Sequence, residues 1–376
     1  MREILTDRLK RLQAALAESR LRALSVVAGP NFYYLTGLSF HLSERPTIGY
    51  FPADGDPVFV VPALEETKLT GADLPFGFQY ATYTDSEGPD AAFARAAELL
   101  VATGVGEGAR LGVEMRRMRV MELRLIEESL HSQIAAAEEV LAGLRAVKDP
   151  AELGHMRAAV AIAQAALTAT LPHIRVGMTE RELAAELTAQ TLRAGSDPEL
   201  PFAPIVASGP NSSLPHAFPT ERRLAPGDLL TLDWGAASHG YMADLTRTYA
   251  VAELPTVELQ RIYGLVQGAN AAGVAAARPG VACADVDAAA RRVIADGGYG
   301  EYFVHRVGHG LGLEGHEDPS MHGRNDTPLA LGMTFTVEPG IYLPEKGGVR
   351  IEDDVVVGAD GGISLSDLDR DLRVVA

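Results

Sequence analysis

The stretch LLTLDWGAASHGYMADLTRTY, residues 229–249, constrains this chain more than any other. Leu230 and Leu232 alternate with Thr231 and Asp233, the period of a strand with one apolar and one polar face. Ala237-Ser238-His239-Gly240 reads as a tight turn, and alternation resumes from Ala243 to Tyr249. With Ser238 and His239 as the loop, Ala237 faces Gly240 and Asp233 falls directly opposite Asp244. Opposed residues share a face, with Cβ atoms about 4.5–5.5 Å apart. Two carboxylates that close resist ionising together. Either a divalent metal stands between them, or the hairpin is a solvated edge, or the register differs by one residue.

At 376 residues the chain is long enough for a large core and two domains. Its net charge of −17 argues against a nucleic-acid footprint, which needs a basic stripe. Cys283 is the single cysteine, so no disulfide can form within the chain, and its Val-Ala-Cys-Ala setting suits a small buried residue. The N-terminus, MREILTDRLKRLQ, is an amphipathic charged helix without a signal-type apolar core. No run approaches the roughly 18 apolar residues of a membrane span. A cytoplasmic protein with no membrane or nucleic-acid partner is expected.

The first half reads as a compact α/β domain. Leu9, Leu12 and Leu16 recur at helical spacing before the strand Ala23–Val27, and Asp54-Gly55-Asp56 supplies a hairpin turn. His41, in a polar loop, reads as a surface histidine. Asp149-Pro150 then caps a long Ala-rich helix from Ala151 to about Leu171. The boundary is placed there, giving domains 1–145 and 146–376. Thr179 to Glu182 carries a capping-box pattern opening a helix to about Ala194. Two more helices are predicted over Leu254–Arg278 and Ala284–Asp296.

Six of the ten histidines lie between residues 216 and 322. The run HRVGHGLGLEGHE, from His305 to Glu317, sets His305, His309 and His316 among glycines. Glycines so dense are expected in a loop rather than in a helix or central strand. The run fits a ligand set or an ordinary loop, and lacks the ending of a phosphate-binding loop. Thr334, Thr336 and Glu338 alternate on one face; Arg350 and Glu352 alternate on another. A Glu among apolar neighbours must be partnered or bound to metal, so each strand admits a salt bridge as readily as a metal. Together Asp233, Asp244, His309, Glu338 and Glu352 make a carboxylate-rich set with one imidazole. Such a set can hold two divalent ions around a bridging water, and suits Mn, Co, Zn or Fe better than structural zinc.

Here a resemblance becomes specific. LPHA, LDWGA with YMADLTRTY, HRVGHGLGLEGHEDP, FTVEPGIY and GVRIEDD each resemble a motif of the pita-bread metallopeptidases, in the prolidase and aminopeptidase P branch. FYYLTG and the strands after it resemble that family's creatinase-like N-terminal domain. The resemblance implies an α+β protein: a C-terminal pita-bread catalytic domain behind a smaller α/β creatinase-like domain.

It further implies that Asp233 chelates one ion, that His309 and Glu338 hold a second, and that Asp244 and Glu352 bridge both. Two ions of Mn, Co or Zn are expected. His216, His305 and His316 would line the substrate cleft, Thr246 would orient a bridging carboxylate, and Arg350 would be a charge partner beside the site. The reaction expected is hydrolysis of the bond before proline in short peptides. Glu338 would move the proton, while His216 and His316 would donate to substrate and developing oxyanion. An Xaa-Pro dipeptidase must bind the free carboxylate of proline, and in prolidases an arginine at the place of Arg324 does so. Xaa-Pro aminopeptidase is the close alternative and a non-catalytic binding module the remote one. Creatinase lacks this ligand set, and methionine aminopeptidase usually lacks the N-terminal domain. A homodimer through that domain is expected.

Overall fold

A computed structural model describes residues 2–376. It comprises one unit ending at Leu144 and another running from Arg145 to Ala376. In the first, α1 (Arg2–Glu18) buries Leu5, Leu9, Leu12 and Leu16, the stripe its periodicity predicts. Strands β1 (Ala23–Val27), β2 (Ile48–Pro52), β3 (Val58–Pro62), β4 (Gln79–Tyr83), β5 (Arg110–Val113) and β6 (Gln133–Ala136) form one mixed sheet, ordered β4-β3-β2-β1-β5-β6. Helices α2 (Pro30–Thr36), α3 (Glu66–Thr70), α4 (Asp90–Val101), α5 (Val120–Leu130) and α6 (Glu138–Arg145) complete this part of the chain. His41 is exposed.

The second unit opens with α7 (Pro150–Thr170) and α8 (Glu180–Arg193). Each begins in a reciprocal capping box, Asp149 with Glu152 and Thr179 with Glu182. Strands β7 (Ile205–Ser208), β8 (Leu229–Ser238) and β9 (Tyr241–Val251) follow, then α9 (Val257–Ala276) and α10 (Cys283–Asp296). The remaining strands are β10 (Gly308–Gly310), β11 (Glu317–Met321), β12 (Thr334–Val337), β13 (Gly340–Leu343), β14 (Gly347–Arg350), β15 (Asp353–Val357), β16 (Gly362–Ser364) and β17 (Val374–Val375). They form sheets ordered β17-β9-β8-β7 and β11-β10-β12-β15-β16, plus the β13–β14 hairpin.

Each of the two larger sheets buries one face under helices. Leu230, Leu232, Trp234 and Ala236 of β8 pack with Ala159, Val160 and Ala163 of α7 and with Leu183 and Leu187 of α8. The Trp234 indole N–H donates to the Ala163 carbonyl at 3.0 Å, so the ring is buried without an orphan donor. Phe335, Val337, Val355 and Val357 pack likewise with residues of α9 and α10, Cys283 among them. The opposite face of β8 and β9 is left to Thr231, Asp233, Asp244, Thr246 and Thr248. Period-2 alternation along two strands thus separates core from chemistry. Among the described residues no helix is long and apolar enough to cross a membrane.

Three local expectations need correction. The β8–β9 turn is His239-Gly240, with φ of 53° and 78°, the paired left-handed residues of a tight hairpin turn. Ser238 therefore pairs with Tyr241, and Asp233 lies opposite Thr246 while Asp244 lies opposite Gly235. The carboxylates are diagonal rather than directly opposed. Because the pairing slid by two residues and not one, they keep the same face.

The glycines around His309 do not mark a loop. Gly308-His309-Gly310 is a buried central strand between β11 and β12. A Cβ built on Gly308 would lie 1.8 Å from the Thr336 carbonyl oxygen, and one on Gly310 would lie 2.3 Å from that of Asp318. Glycine is what lets this backbone approach both neighbours. Finally, the alternating run through Arg350 and Glu352 is not one strand. It breaks at Ile351-Glu352, where Glu352 forms an isolated antiparallel bridge with Thr246 of β9.

Candidate metal centre

The helix-free face of β8–β9 and the ends of β10, β12 and β14 bring the predicted ligands together. Ligand atoms of Asp244, His309 and Glu352 all lie within 4.8 Å of one another. His309 Nε2 is 3.8 Å from Asp244 Oδ2 and 3.3 Å from Glu338 Oε1. Asp233 reaches the group through Arg350, whose Nη2 donates to Asp233 Oδ2 at 2.6 Å. The other Asp233 oxygen, Oδ1, is buried and meets no donor among the described residues. A buried carboxylate oxygen without a donor is costly unless a cation faces it.

The electrostatics point the same way. Four carboxylates crowd the site and, among the described residues, Arg350 is the one guanidinium bonded to any of them. Burial, and then the neighbouring carboxylates, hold Asp244 and Glu352 well above the usual carboxylate range. Burial raises Asp233 too, opposed by Arg350. Burial pushes Glu338 up to about 7, again against Arg350. His309 is pulled down to about 3 by burial and by His316, so its imidazole is neutral. Its Nδ1 lies 3.1 Å from the Gly310 carbonyl and must carry the proton there. The Nε2 lone pair then points at two carboxylates, an arrangement that a cation between them resolves. The donor set fits oxygen-rich divalent ions with one nitrogen ligand.

Neighbouring hydroxyls and amides aim these ligands. Thr246 Oγ1 donates to Glu352 Oε2 at 2.6 Å and accepts from Arg350 Nε at 3.1 Å. Thr336 Oγ1 donates to Glu338 Oε1 at 3.2 Å, and the same hydroxyl accepts from the His309 N–H at 3.1 Å. Behind Asp244, the buried Asp354 accepts the Asp244 N–H. No sequence signal distinguished it from its neighbour Asp353.

A cleft of about 440 Å³ opens onto the group, and His216, His305 and His316 all line it. His316 lies tilted against His309 with ring centroids 3.9 Å apart, and burial lowers its pKa. His216 is exposed, on the segment that follows β7. His305 has both ring nitrogens engaged. Its Nδ1 donates to the Arg306 carbonyl at 2.7 Å, so Nε2 accepts from the Tyr342 hydroxyl at 3.0 Å, which itself accepts from Arg350 Nη1 at 2.9 Å. Tyr342 was missed because only its place in GIY, beside the motif carrying Glu338, marks it. Arg306 also lines the cleft; it stood unremarked inside the histidine run. Arg324 is exposed and is not among the residues that line this cleft.

Comparison with known proteins agrees with this architecture. Residues 154–359 match the model of metallopeptidase family M24, and residues 8–147 match the creatinase/prolidase N-terminal domain. The chain is 36% identical to a probable dipeptidase PepE of Mycobacterium tuberculosis, over 99% of this chain and 97% of that one. It is 33% identical to the Xaa-Pro dipeptidase of Pyrococcus furiosus, over 97% and 99%. Among solved structures, a dipeptidase from Pyrococcus horikoshii superposes with a TM-score of 0.90 at 38% identity, covering 98% and 99%. An X-Pro aminopeptidase from Thermotoga maritima superposes at 0.83 with 29% identity, covering 98% and 99%. As its motifs led one to expect, the chain belongs to metallopeptidase family M24, with a creatinase/prolidase-type domain at its N-terminus.

Proposed function

We propose that this chain is an Xaa-Pro dipeptidase, hydrolysing the bond before proline in dipeptides with two divalent ions held by Asp233, Asp244, His309, Glu338 and Glu352. The observation that carries it is the meeting of Asp244, Glu338 and Glu352 around the free lone pair of a neutral imidazole, with Asp233 held beside them by one guanidinium. Asp233, Asp244 and Glu352 would hold one ion, and His309, Glu338, Asp244 and Glu352 the other. When bound, such ions supply a lowered pKa for water and polarisation of the scissile carbonyl.

The remaining work falls to side chains. Glu338 takes a proton from the attacking water and returns it to the proline nitrogen as the bond breaks. His316 and His216 border the cleft where the carbonyl oxygen gains charge, and donate hydrogen bonds to it. Arg350 holds Asp233 and, through Tyr342 and His305, the cleft wall. The same reading expects a cytoplasmic homodimer using Mn, Co or Zn.

Proline release from Gly-Pro is to be measured after metal removal and after reconstitution with each ion. Stripped protein and Glu352→Ala should both be inactive; full turnover in either refutes the proposal. Faster cleavage of Gly-Pro-Xaa peptides than of Gly-Pro would assign the aminopeptidase reading instead.

A further inference from the structure

His316 faces the cleft with no partner to orient its ring. Among the described residues no hydrogen bond or ion pair ends on either nitrogen, and its ring contact is with His309. The place of the imidazole therefore follows from its backbone. That backbone belongs to residues 311–316, the irregular connection between β10 and β11. Inside it the Gly312 N–H donates to the Glu314 carbonyl at 3.1 Å, and the Met242 N–H of β9 donates to the Gly312 carbonyl at 2.7 Å. Neither bond reaches Gly315 or His316.

A cluster of four charges holds the segment on both sides of the histidine. Glu314 accepts from Arg145 Nη1 at 2.7 Å. Glu317 accepts from Arg145 Nη2 through one oxygen and from Lys148 Nζ at 2.5 Å through the other. The two carboxylates stand two residues before His316 and one after it. The side chains of Lys148, Glu317 and Arg145 are 1%, 7% and 8% exposed, so salt screens these pairs weakly. Burial opposes the charge on Glu317, but Lys148 and Arg145 hold its carboxyl below the ordinary range. Lys148 is itself fixed. Its N–H donates to the Gly332 carbonyl at 3.0 Å, and Val147 bridges Met333 at the entry to β12. A Cβ built on Gly312 would lie 2.7 Å from Glu317 Oε1 and 2.9 Å from Lys148 Cε, so the connection passes against the ion pair.

A buried ion cluster adds little stability over apolar side chains of similar size, since desolvation offsets the attraction. What it supplies is a single arrangement, because the four charged ends must meet with their hydrogen bonds satisfied. We propose that Arg145 and Lys148 are positioning residues: by gripping Glu314 and Glu317 they fix the backbone at His316, and so the place of its imidazole beside His309. This rests on the peptidase reading above, in which His316 donates to the developing oxyanion. A donor to that charge acts in the transition state, and a misplacement of about 1 Å can cost about a hundredfold in rate.

The test is a double-mutant cycle on Mn²⁺-loaded enzyme with Gly-Pro. Lys148→Met and Glu314→Ala are each made with and without His316→Ala, beside the conservative Lys148→Arg. Lys148→Met should lower kcat about ten- to a hundredfold while KM changes much less, and Lys148→Arg should recover part of the loss. Glu314→Ala, at the 29% exposed end of the cluster, should lose less. In the His316→Ala background both losses should nearly vanish, because groups that act through one side chain are not additive. In Zn²⁺-loaded, ¹⁵N-histidine-labelled protein, the His316 ring signals, identified by their absence from His316→Ala, should move in both variants while those of the exposed His41 hold. Full kcat in folded Lys148→Met and Glu314→Ala, or the same fractional loss with and without His316, would overturn the inference while the peptidase reading stood. If Lys148→Met does not fold, Glu314→Ala decides by the same cycle. Wild type that does not cleave Gly-Pro would overturn the peptidase reading, whereas unmoved His316 signals would overturn the inference whatever the turnover.

Discussion

Thr246 and Glu352 hold each other twice: the Glu352 N–H donates to the Thr246 carbonyl at 3.1 Å, and the Thr246 hydroxyl donates to Glu352 Oε2 at 2.6 Å. This bridge joins β9 to the break between β14 and β15, and so joins the segment carrying Asp244 to the one carrying Glu352. The hydroxyl also receives Arg350, so two candidate site groups are oriented through one oxygen.

Thr246→Val keeps the shape and deletes that oxygen. Glu352 loses its donor and Arg350 an acceptor, both buried. Loss of such a supporting contact typically costs about ten- to a hundredfold in metal affinity or activity. Metal titration and kcat/KM for Gly-Pro should both fall by that order, with Thr246→Ser largely restoring them. Unchanged affinity would mean that the carboxylate is aimed by something else.

A second support lies further out. The buried Glu180 carboxylate accepts from the N–H and hydroxyl of Ser208, the N–H and hydroxyl of Thr220, and the Asn211 amide. It thereby pins both ends of the segment carrying His216. Glu180→Gln places an NH₂ donor against existing donors, at about 1–3 kcal/mol for each group left unsatisfied. A lower Tm and a lower kcat/KM are expected, with metal stoichiometry retained. Retained kcat/KM would show that His216 does not depend on this anchor.

How much of this was legible beforehand depended on distance along the chain. The capping boxes at Asp149 and Thr179 are local chemistry and were readable from four residues each. The polar face of β8–β9 was readable from alternation, and even the wrong register kept Asp233 and Asp244 together because an error of two residues preserves the face. The strand at His309 was not readable, since glycine's low strand preference is outweighed there by close packing against the backbones of Thr336 and Asp318 on the two neighbouring strands. The bond from Arg306 to Ser320 and the chain from Arg350 through Tyr342 to His305 are likewise tertiary facts. Motif resemblance supplied the grouping of Asp233, Asp244, His309, Glu338 and Glu352; alternation alone left each strand open to a salt bridge.

The glycine run offers a paired test of that packing. Gly308→Ala would set a methyl 1.8 Å from the Thr336 carbonyl oxygen, which is backbone and cannot rotate away. The cost should exceed the 1–3 kcal/mol or so of ordinary overpacking and separate β10 from β12. Gly315→Ala, in the same run, would meet nothing nearer than the Met242 sulfur at 3.9 Å. Thermal melts should show Gly308→Ala strongly destabilised or insoluble and Gly315→Ala near wild type. Comparable melting of the two would contradict the strand assignment.

Metal affinity should depend on pH in a way the site's own groups dictate. Glu338 is raised from 4.5 to about 7, chiefly by burial, so below about 7 it carries a proton that an incoming cation must displace. Asp233, Asp244 and Glu352 are raised in the same direction and add to that competition. His309, lowered to about 3, stays unprotonated over the same window and adds none. The sign is therefore one-way: the apparent association constant for Mn²⁺ falls as pH drops through the raised values, by about tenfold per pH unit for each proton displaced. Calorimetric titrations between about pH 5 and pH 8, repeated in buffers of different ionisation enthalpy, should show at least one proton released per site at the acidic end and a weaker slope above about 7. An affinity independent of pH across that range would mean that these carboxylates are already ionised in the metal-free protein, and that another cation balances them.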